Sequence, residues 1–141
     1  MEDNLLVGLN EYKILNEENP IAYTRDITSC IICLFHREKD AVLMHIETNN
    51  DFIEIGNFID ILENKKNKIN KVDVFVGKYT TLGNLSILKF MFHRLNIEYS
   101  IYEVFRNQSN ETSVGYNYNT SDYYMARMNK GKPILTRKKI N

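Results

Sequence analysis

The stretch "TSCIICLFHREKDAVLMHIE", residues 28–47, decides the fold of this chain. Its two apolar runs, 31–35 and 41–46, are rich in Ile, Val and Leu and have the length of β-strands. The charged segment "HREKD" at 36–40 separates them and predicts a turn. We therefore expect a β-hairpin that carries a cysteine near one end and a histidine near the other.

The pairing register decides how close Cys30 and His45 lie in this hairpin. A loop of residues 36–39 sets Cys30 directly opposite His45. A loop of residues 36–41 sets Cys30 opposite Glu47 and leaves His45 on the diagonal. Both registers place the thiol and the imidazole on one face, and only an odd slip would separate them. The sequence therefore permits a Cys-His pair without requiring one.

Such a pair has a chemical use, because a free cysteine has a pKa of about 8.5 and is mostly protonated at neutral pH. A neighbouring histidine takes the thiol proton or stabilises the thiolate, and a third group orients the imidazole. The alternative is a structural one, since cysteine is among the most often buried residues and a strand histidine often packs in a core. The pattern alone leaves both interpretations open.

In the rest of the chain, the spacing of apolar residues predicts helices over 52–62 and 85–95, and the second helix is expected to begin near Thr80 or Thr81. His36 is expected in the turn and His93 on the surface of the second helix. Strands are predicted at 5–9, 71–77, 97–105, 113–119, 122–128 and 133–138. This order predicts a single domain, 1–141, of α+β class, with mixed or antiparallel sheets in a sandwich-like core flanked by two main helices.

Composition narrows the functional classes. The 141 residues carry no formal net charge, which argues against binding to nucleic acid through a basic surface. No apolar run approaches the roughly 20 residues of a membrane span, and the acidic N-terminus does not resemble a signal peptide. Cys30 and Cys33 are expected on opposite faces of a strand, which disfavours a shared metal or a disulfide. These features predict a cytoplasmic protein with reduced thiols.

A longer stretch, "LVGLNEYKILNEENPIAYTRDITSCIICLFHREKDAVLMHIE", resembles the start of the chemoreceptor glutamine deamidases, the CheD family. That family has a threonine shortly before a Gly-Ser-Cys element, then an apolar strand, a polar turn and a histidine on the next strand. The segments "KVDVFVG", "SVGYNYNTSDYYMAR" and "KPILTRK" continue the resemblance over almost the whole chain. The matching positions for the family's nucleophile, base and third triad member are Cys30, His45 and Thr24.

The resemblance implies hydrolysis of glutamine side-chain amides in the cytoplasmic domain of chemoreceptors, giving glutamate and ammonia. It implies no cofactor and no metal, and Ser29 is expected to line the site or to help bind the oxyanion. An alternative is a catalytically weak regulatory module that binds a CheC-type chemotaxis phosphatase. A further one is a deamidase with another protein target, similar to bacterial toxins that use a Cys-His pair.

The chain departs from the family pattern at its glycine positions. Thr28 stands where the family usually has the glycine before Ser-Cys. The family's Gly-Gly-Ala segment corresponds here to "VGKYTT", which keeps only Gly77, and a later glycine pair is replaced within "NQSNET". Because glycine allows close approach of another backbone, these departures concern substrate access and the partner surface.

Overall fold

The computed structural model describes residues 5–25, 30–47, 56–57, 59–60, 62–77, 80, 82–103, 112–129 and 132–138. These form nine strands and one helix described along its whole length, which confirms the α+β class. The strands are β1 Tyr12–Leu15, β2 Ile21–Thr24, β3 Ile31–Arg37, β4 Ala41–Ile46, β5 Ile69–Val76, β6 Tyr99–Glu103, β7 Thr112–Asn117, β8 Asp122–Asn129 and β9 Lys132–Lys138, and the helix is α1, Leu82–Arg94.

The strands form two sheets, of five strands in the order β1-β4-β3-β5-β6 and of four strands in the order β2-β7-β8-β9. The only parallel pair among the described strands is β5–β6, and α1 connects these two along the chain. A parallel pair needs such a crossover, because its second strand must start again at the same end. All other described pairs are antiparallel, so the first sheet is mixed.

The predicted hairpin is confirmed as β3 and β4 at the centre of the five-stranded sheet. Every residue of β4 is buried, as are the first five of β3. The reason is that this sheet is covered on both faces, by α1 on one side and by the four-stranded sheet on the other. A strand buried on both faces reads as a continuous apolar run instead of an alternating one.

Two hydrophobic clusters mark the two covered faces. The cluster under the helix contains Cys33 and Phe35 of β3 together with Leu88 and Phe92 of α1, and the rings of Phe35 and Phe92 meet edge to face at 6.5 Å. The second cluster, between the sheets, consists of Val7, Leu15, Ala22, Ile32, Leu34, Ala41, Leu43, Phe75, Val114, Tyr116 and Tyr123. Side chains of both sheets thus meet in this second cluster, in agreement with the expected sandwich-like arrangement.

The strand predicted at 5–9 is wrong, because this segment makes only an isolated bridge, between Leu6 and Tyr23. The sequence reasoning also missed β1 and β2. β1 is an edge strand on which Tyr12 and Ile14 remain exposed, so its burial does not follow the apolar pattern. Short edge strands with mixed exposure carry little periodic signal.

The helical predictions are confirmed in part. The helix predicted over 85–95 is observed as α1, which begins at Leu82 and ends at Arg94. Of the first predicted helix, residues 56–57, 59–60 and 62 are helical, whereas 52–55 lie outside the described residues. The structure therefore describes one complete helix where two were expected. Most of the segment between the strands predicted at 97–105 and 113–119 lies outside the described residues, and Thr112 begins β7.

Candidate active site

The observed hairpin register is the one with the longer loop. Ile31 pairs with Ile46 and Ile32 with His45, and the last pair before the turn is His36 with Ala41. Continuing this register by one residue sets Cys30 opposite Glu47, with His45 on the diagonal. Diagonal neighbours in an antiparallel pair lie about 7–8 Å apart on the same face, which is within reach of long side chains. The face is the one toward the four-stranded sheet, since Ile32 belongs to the inter-sheet cluster.

The two cysteines have different environments. Cys30 is half-buried and lies just before β3, whereas Cys33 is fully buried beneath α1. Burial raises the pKa of the Cys33 thiol far above its ordinary value, so this thiol stays protonated at neutral pH. Of the two cysteines, only Cys30 retains exposure to solvent.

The ring of His45 contacts Thr24, which comes from the other sheet. The distance between His45 Nδ1 and Thr24 Oγ1 is 2.7 Å, and both residues are buried. Thr24 Oγ1 also donates to the carbonyl oxygen of Val7 at 2.8 Å. Because a carbonyl oxygen only accepts, the single hydroxyl proton of Thr24 is committed to Val7. The contact with the imidazole is then a donation from His45 Nδ1–H to Thr24 Oγ1.

This hydrogen-bond arrangement fixes the tautomer of the neutral imidazole. With the proton on Nδ1, the lone pair of a neutral His45 ring lies on Nε2. Nε2 is then the nitrogen that can take a proton from a neighbouring acid. The hydroxyl of Thr24 also holds the plane of the ring, which is the orienting role expected of the third member of a catalytic triad.

The backbone of His45 is held by residues that sequence reasoning did not single out. Asn10 N–H donates to His45 O at 2.8 Å, and His45 N–H donates to Glu11 O at 3.1 Å. The side chain of Asn10 accepts from Glu47 N–H at 3.0 Å. Asn10 has a φ of 59°, a conformation that asparagine tolerates better than most residues. The turn that precedes β1 therefore clamps the end of β4 on which His45 stands.

The structure thus brings Thr24 and His45 into direct contact, and the register of β3 and β4, when continued by one residue, sets Cys30 diagonally from His45. Ser29, predicted to line the site, lies outside the described residues, and so does Thr28. The catalytic assignment of Thr24, Cys30 and His45 remains a prediction. Within the described part of the chain, no group of His, Cys, Asp and Glu side chains is arranged to hold a metal ion.

A second polar cluster lies at the opposite end of β3, and it corrects the assignment of His36 to the turn. His36 belongs to β3, and its Nε2 lies 2.7 Å from Oδ2 of the buried Asp73 and 3.0 Å from the hydroxyl of Tyr123. Tyr123 donates a hydrogen bond to the same carboxylate oxygen, and Lys71 Nζ lies 3.6 Å from its other oxygen. The cluster therefore links β3 and β5 to β8 across the two sheets.

The charge balance in this cluster favours an ionised Asp73. Burial raises the pKa of Asp73, but hydrogen bonds from His36 and Tyr123 and the positive charges of His36 and Lys71 outweigh it and hold the pKa below its usual value. Burial and the neighbouring carboxylate raise the pKa of Tyr123, so its hydroxyl remains a donor. A sequence signal existed here, because an aspartate inside the apolar strand "KVDVFVG" requires a buried partner.

Two comparisons with known proteins bear on the identity of this chain. Neither a scan against models of protein families nor a search of curated protein sequences found a match. Among the described residues, no helix has the length and apolar character needed to cross a lipid bilayer.

Proposed function

We propose that this chain is a cysteine-dependent amidohydrolase with a CheD-like fold, which converts glutamine side chains of chemoreceptors to glutamate. The single observation that carries the proposal is the hydrogen bond between His45 Nδ1 and Thr24 Oγ1. It supports the proposal because it leaves Nε2 of a neutral His45 as the basic nitrogen, and the continued register of β3 and β4 sets the half-buried Cys30 diagonally from His45. The cytoplasmic location that such a substrate requires is part of the proposal.

The proposed reaction proceeds in two halves. His45 Nε2 takes the Cys30 proton, and the thiolate sulfur attacks the carboxamide carbon of the glutamine to form a tetrahedral intermediate. The C–N bond then breaks, the proton on His45 passes to the leaving nitrogen, and ammonia departs. A thioester between Cys30 and the glutamyl side chain remains.

Water completes the reaction. His45 Nε2 removes a proton from the water as its oxygen attacks the thioester carbon. The C–S bond breaks, the sulfur recovers the proton from His45, and the products are a glutamate side chain and ammonia. Backbone N–H groups around Cys30, with Ser29 as the expected neighbour, are proposed to stabilise the negative charge on the carbonyl oxygen. The reaction requires no cofactor and no metal.

The test is mass spectrometry of a purified chemoreceptor cytoplasmic fragment after incubation with the protein, together with an assay for released ammonia. We expect particular glutamines to gain the mass of the conversion to glutamate, in step with ammonia release. Cys30→Ala should abolish both signals, and Cys33→Ala, the matched cysteine variant, should retain them. Unchanged glutamines in the presence of the wild-type protein would contradict the proposed function.

A further inference from the structure

The backbone of Cys30 is bound by a side chain that stands fifty residues further along the chain. Thr80, in the turn between β5 and α1, donates its hydroxyl proton to the carbonyl oxygen of Cys30 at 2.9 Å. The same hydroxyl oxygen accepts from Gly77 N–H at 2.9 Å, and Thr80 N–H donates to Gly77 O at 3.3 Å. Thr80 therefore engages both backbone groups of Gly77 as well as the carbonyl of Cys30.

These contacts lie where the ladder between β3 and β5 ends. The last pair of the ladder is Ile31 with Val76, so the next pair in register would be Cys30 with Gly77. A hydrogen-bonded pair in an antiparallel sheet joins the N–H of one residue directly to the C=O of the other. Here the hydroxyl of Thr80 stands between Gly77 N–H and Cys30 C=O and bonds to both. A threonine side chain thus takes the position of a backbone hydrogen bond.

Cys30 directly precedes β3, so this contact holds the backbone from which the Cys30 side chain extends. A displacement of about 1 Å between reacting groups can cost about a hundredfold in rate. The segment "VGKYTT", which holds Gly77 and Thr80, is also one of the places where the chain departs from the glycine pattern of the resembled family. The geometry there depends on a threonine hydroxyl, which no glycine or alanine supplies.

We propose that Thr80 is a positioning residue for the nucleophile: its hydroxyl fixes the backbone of Cys30 and thereby holds the thiol in place against His45. This inference rests on the proposed role of Cys30 as nucleophile, but not on the identity of the substrate. Thr80 contacts Cys30 through the backbone carbonyl and not through the thiol, so it acts on the nucleophile by holding its backbone.

The test compares Thr80→Val, which keeps the shape and removes the hydroxyl, with Thr80→Ser, which keeps the hydroxyl. Thr120→Val, at an exposed turn position, is the matched control. The rate at which iodoacetamide modifies Cys30 at neutral pH is followed by peptide mass spectrometry, and kcat and KM for glutamine deamidation are measured where activity is found. Melting temperatures are recorded for each variant.

We expect Thr80→Val to slow modification of Cys30 about tenfold and to lower kcat by a similar factor, with KM within about twofold of the wild-type value. Thr80→Ser and Thr120→Val should keep wild-type rates. The proposal is overturned if Cys30 of Thr80→Val is modified at the wild-type rate. It is also overturned if Cys30 is modified as slowly in Thr80→Ser as in Thr80→Val. A lower melting temperature with unchanged rates would assign Thr80 a structural role only and would also overturn it.

If Thr80→Val does not fold, Thr80→Ala, which removes both the hydroxyl and the methyl group, is measured in its place. The modification assay separates this proposal from the proposed function, because it needs no receptor. If receptor glutamines are untouched while Cys30 reacts rapidly and depends on the Thr80 hydroxyl, the substrate assignment fails and the positioning role stands. If deamidation is present and insensitive to Thr80→Val, the positioning role fails and the function stands.

Discussion

A histidine contacts the four-stranded sheet near each end of β3, one from the neighbouring β4 and one from β3 itself, and the two histidines have different partners. His45, beside the Cys30 end, donates to a neutral threonine hydroxyl at 2.7 Å. His36, at the other end, lies 2.7 Å from a buried carboxylate that also binds a tyrosine hydroxyl. The His45 ring is thus oriented by a neutral hydroxyl, whereas the His36 ring contacts a charged group that is shared with another donor. The first arrangement suits a base, and the second suits a link between two sheets.

The two ends of β3 also differ in how exposed their polar groups are to solvent. The Cys30 end combines a half-buried thiol with a buried, oriented imidazole. At the His36 end, the partner groups of Asp73 and Tyr123 are buried and already bonded to one another. Variants at the first end should therefore change activity, and variants at the second end should change stability.

The largest expected contrast is between the two histidines. His45→Gln should lower kcat about a thousandfold, equivalent to about 4 kcal/mol of transition-state stabilisation, because it removes the base. His36→Gln, the matched variant at the other end, should keep kcat within about twofold, because it contacts no reacting group. Kinetic measurement of ammonia release by both variants checks this. Equal losses of activity would remove the functional distinction between the two ends.

The next effect is on stability at the His36 end. Asp73→Asn should lower the free energy of unfolding by about 2–3 kcal/mol, because it leaves the donors of His36 and Tyr123 facing an amide. Asp60→Asn, at an exposed position, is the control and should change stability by less than about 0.5 kcal/mol. Urea unfolding at neutral pH measures both. An Asp73→Asn variant as stable as the wild type would show that the inter-sheet cluster contributes nothing.

The stability contributed by Asp73 is expected to depend on pH. Since the pKa of Asp73 is lowered in the folded state, its contribution to stability is complete above the unfolded value of about 3.9 and is lost as the pH falls through the lower folded value. The stability difference between the wild type and Asp73→Asn should therefore shrink as the pH is lowered from 6 toward 3. Urea unfolding at several pH values measures it, and a difference that grows on acidification would contradict the assignment.

A smaller effect is expected for the residue that orients His45. Thr24→Val keeps the shape of the side chain and removes the acceptor for Nδ1–H, so the ring loses its fixed orientation. We expect kcat to fall about tenfold, or about 1.4 kcal/mol, and Thr24→Ser to restore most of it. If Thr24→Ser were no better than Thr24→Val, the hydroxyl would have no part in catalysis.

The smallest effect is expected at the second cysteine. Cys33→Ala removes one buried sulfur beneath α1, so the free energy of unfolding should fall by about 1 kcal/mol. Deamidation should be unaffected, because Cys33 faces the helix and not the site. Thermal unfolding and ammonia release measured on the same preparation check both statements, and a loss of activity would move the nucleophile assignment toward Cys33.

The central hairpin was predictable because β3 and β4 are buried on both faces and have continuous apolar sequences. The same-face relation of Cys30 and His45 stays a prediction from the period of two, and the observed register is one of the two even registers that allow it. β1 and β2 were not predictable, since each has four residues of mixed burial at the edge of a sheet. Periodicity has too few positions to act on in such strands.

Contacts between the sheets were beyond the sequence pattern. Thr24 and His45 meet because β2 and β4 belong to different sheets that pack together, and no local signal specifies that packing. Thr24 was singled out only through the family resemblance. Thr80 was expected near the start of the second helix, whereas its hydroxyl bonds to Gly77 and Cys30. Asp73 was not singled out either, although a charge inside an apolar strand indicates a buried partner.

The proposed site of Cys30 and His45 is tested most directly by the rate at which iodoacetamide modifies Cys30 at neutral pH. This rate is measured in the wild type and in His45→Gln, with Cys33 as the internal reference. We expect Cys30 to react at least about tenfold faster than Cys33, and we expect His45→Gln to slow the modification of Cys30 about tenfold and to leave that of Cys33 unchanged. A Cys30 rate that is the same with and without His45 would contradict the claim that the thiol and the imidazole form one site.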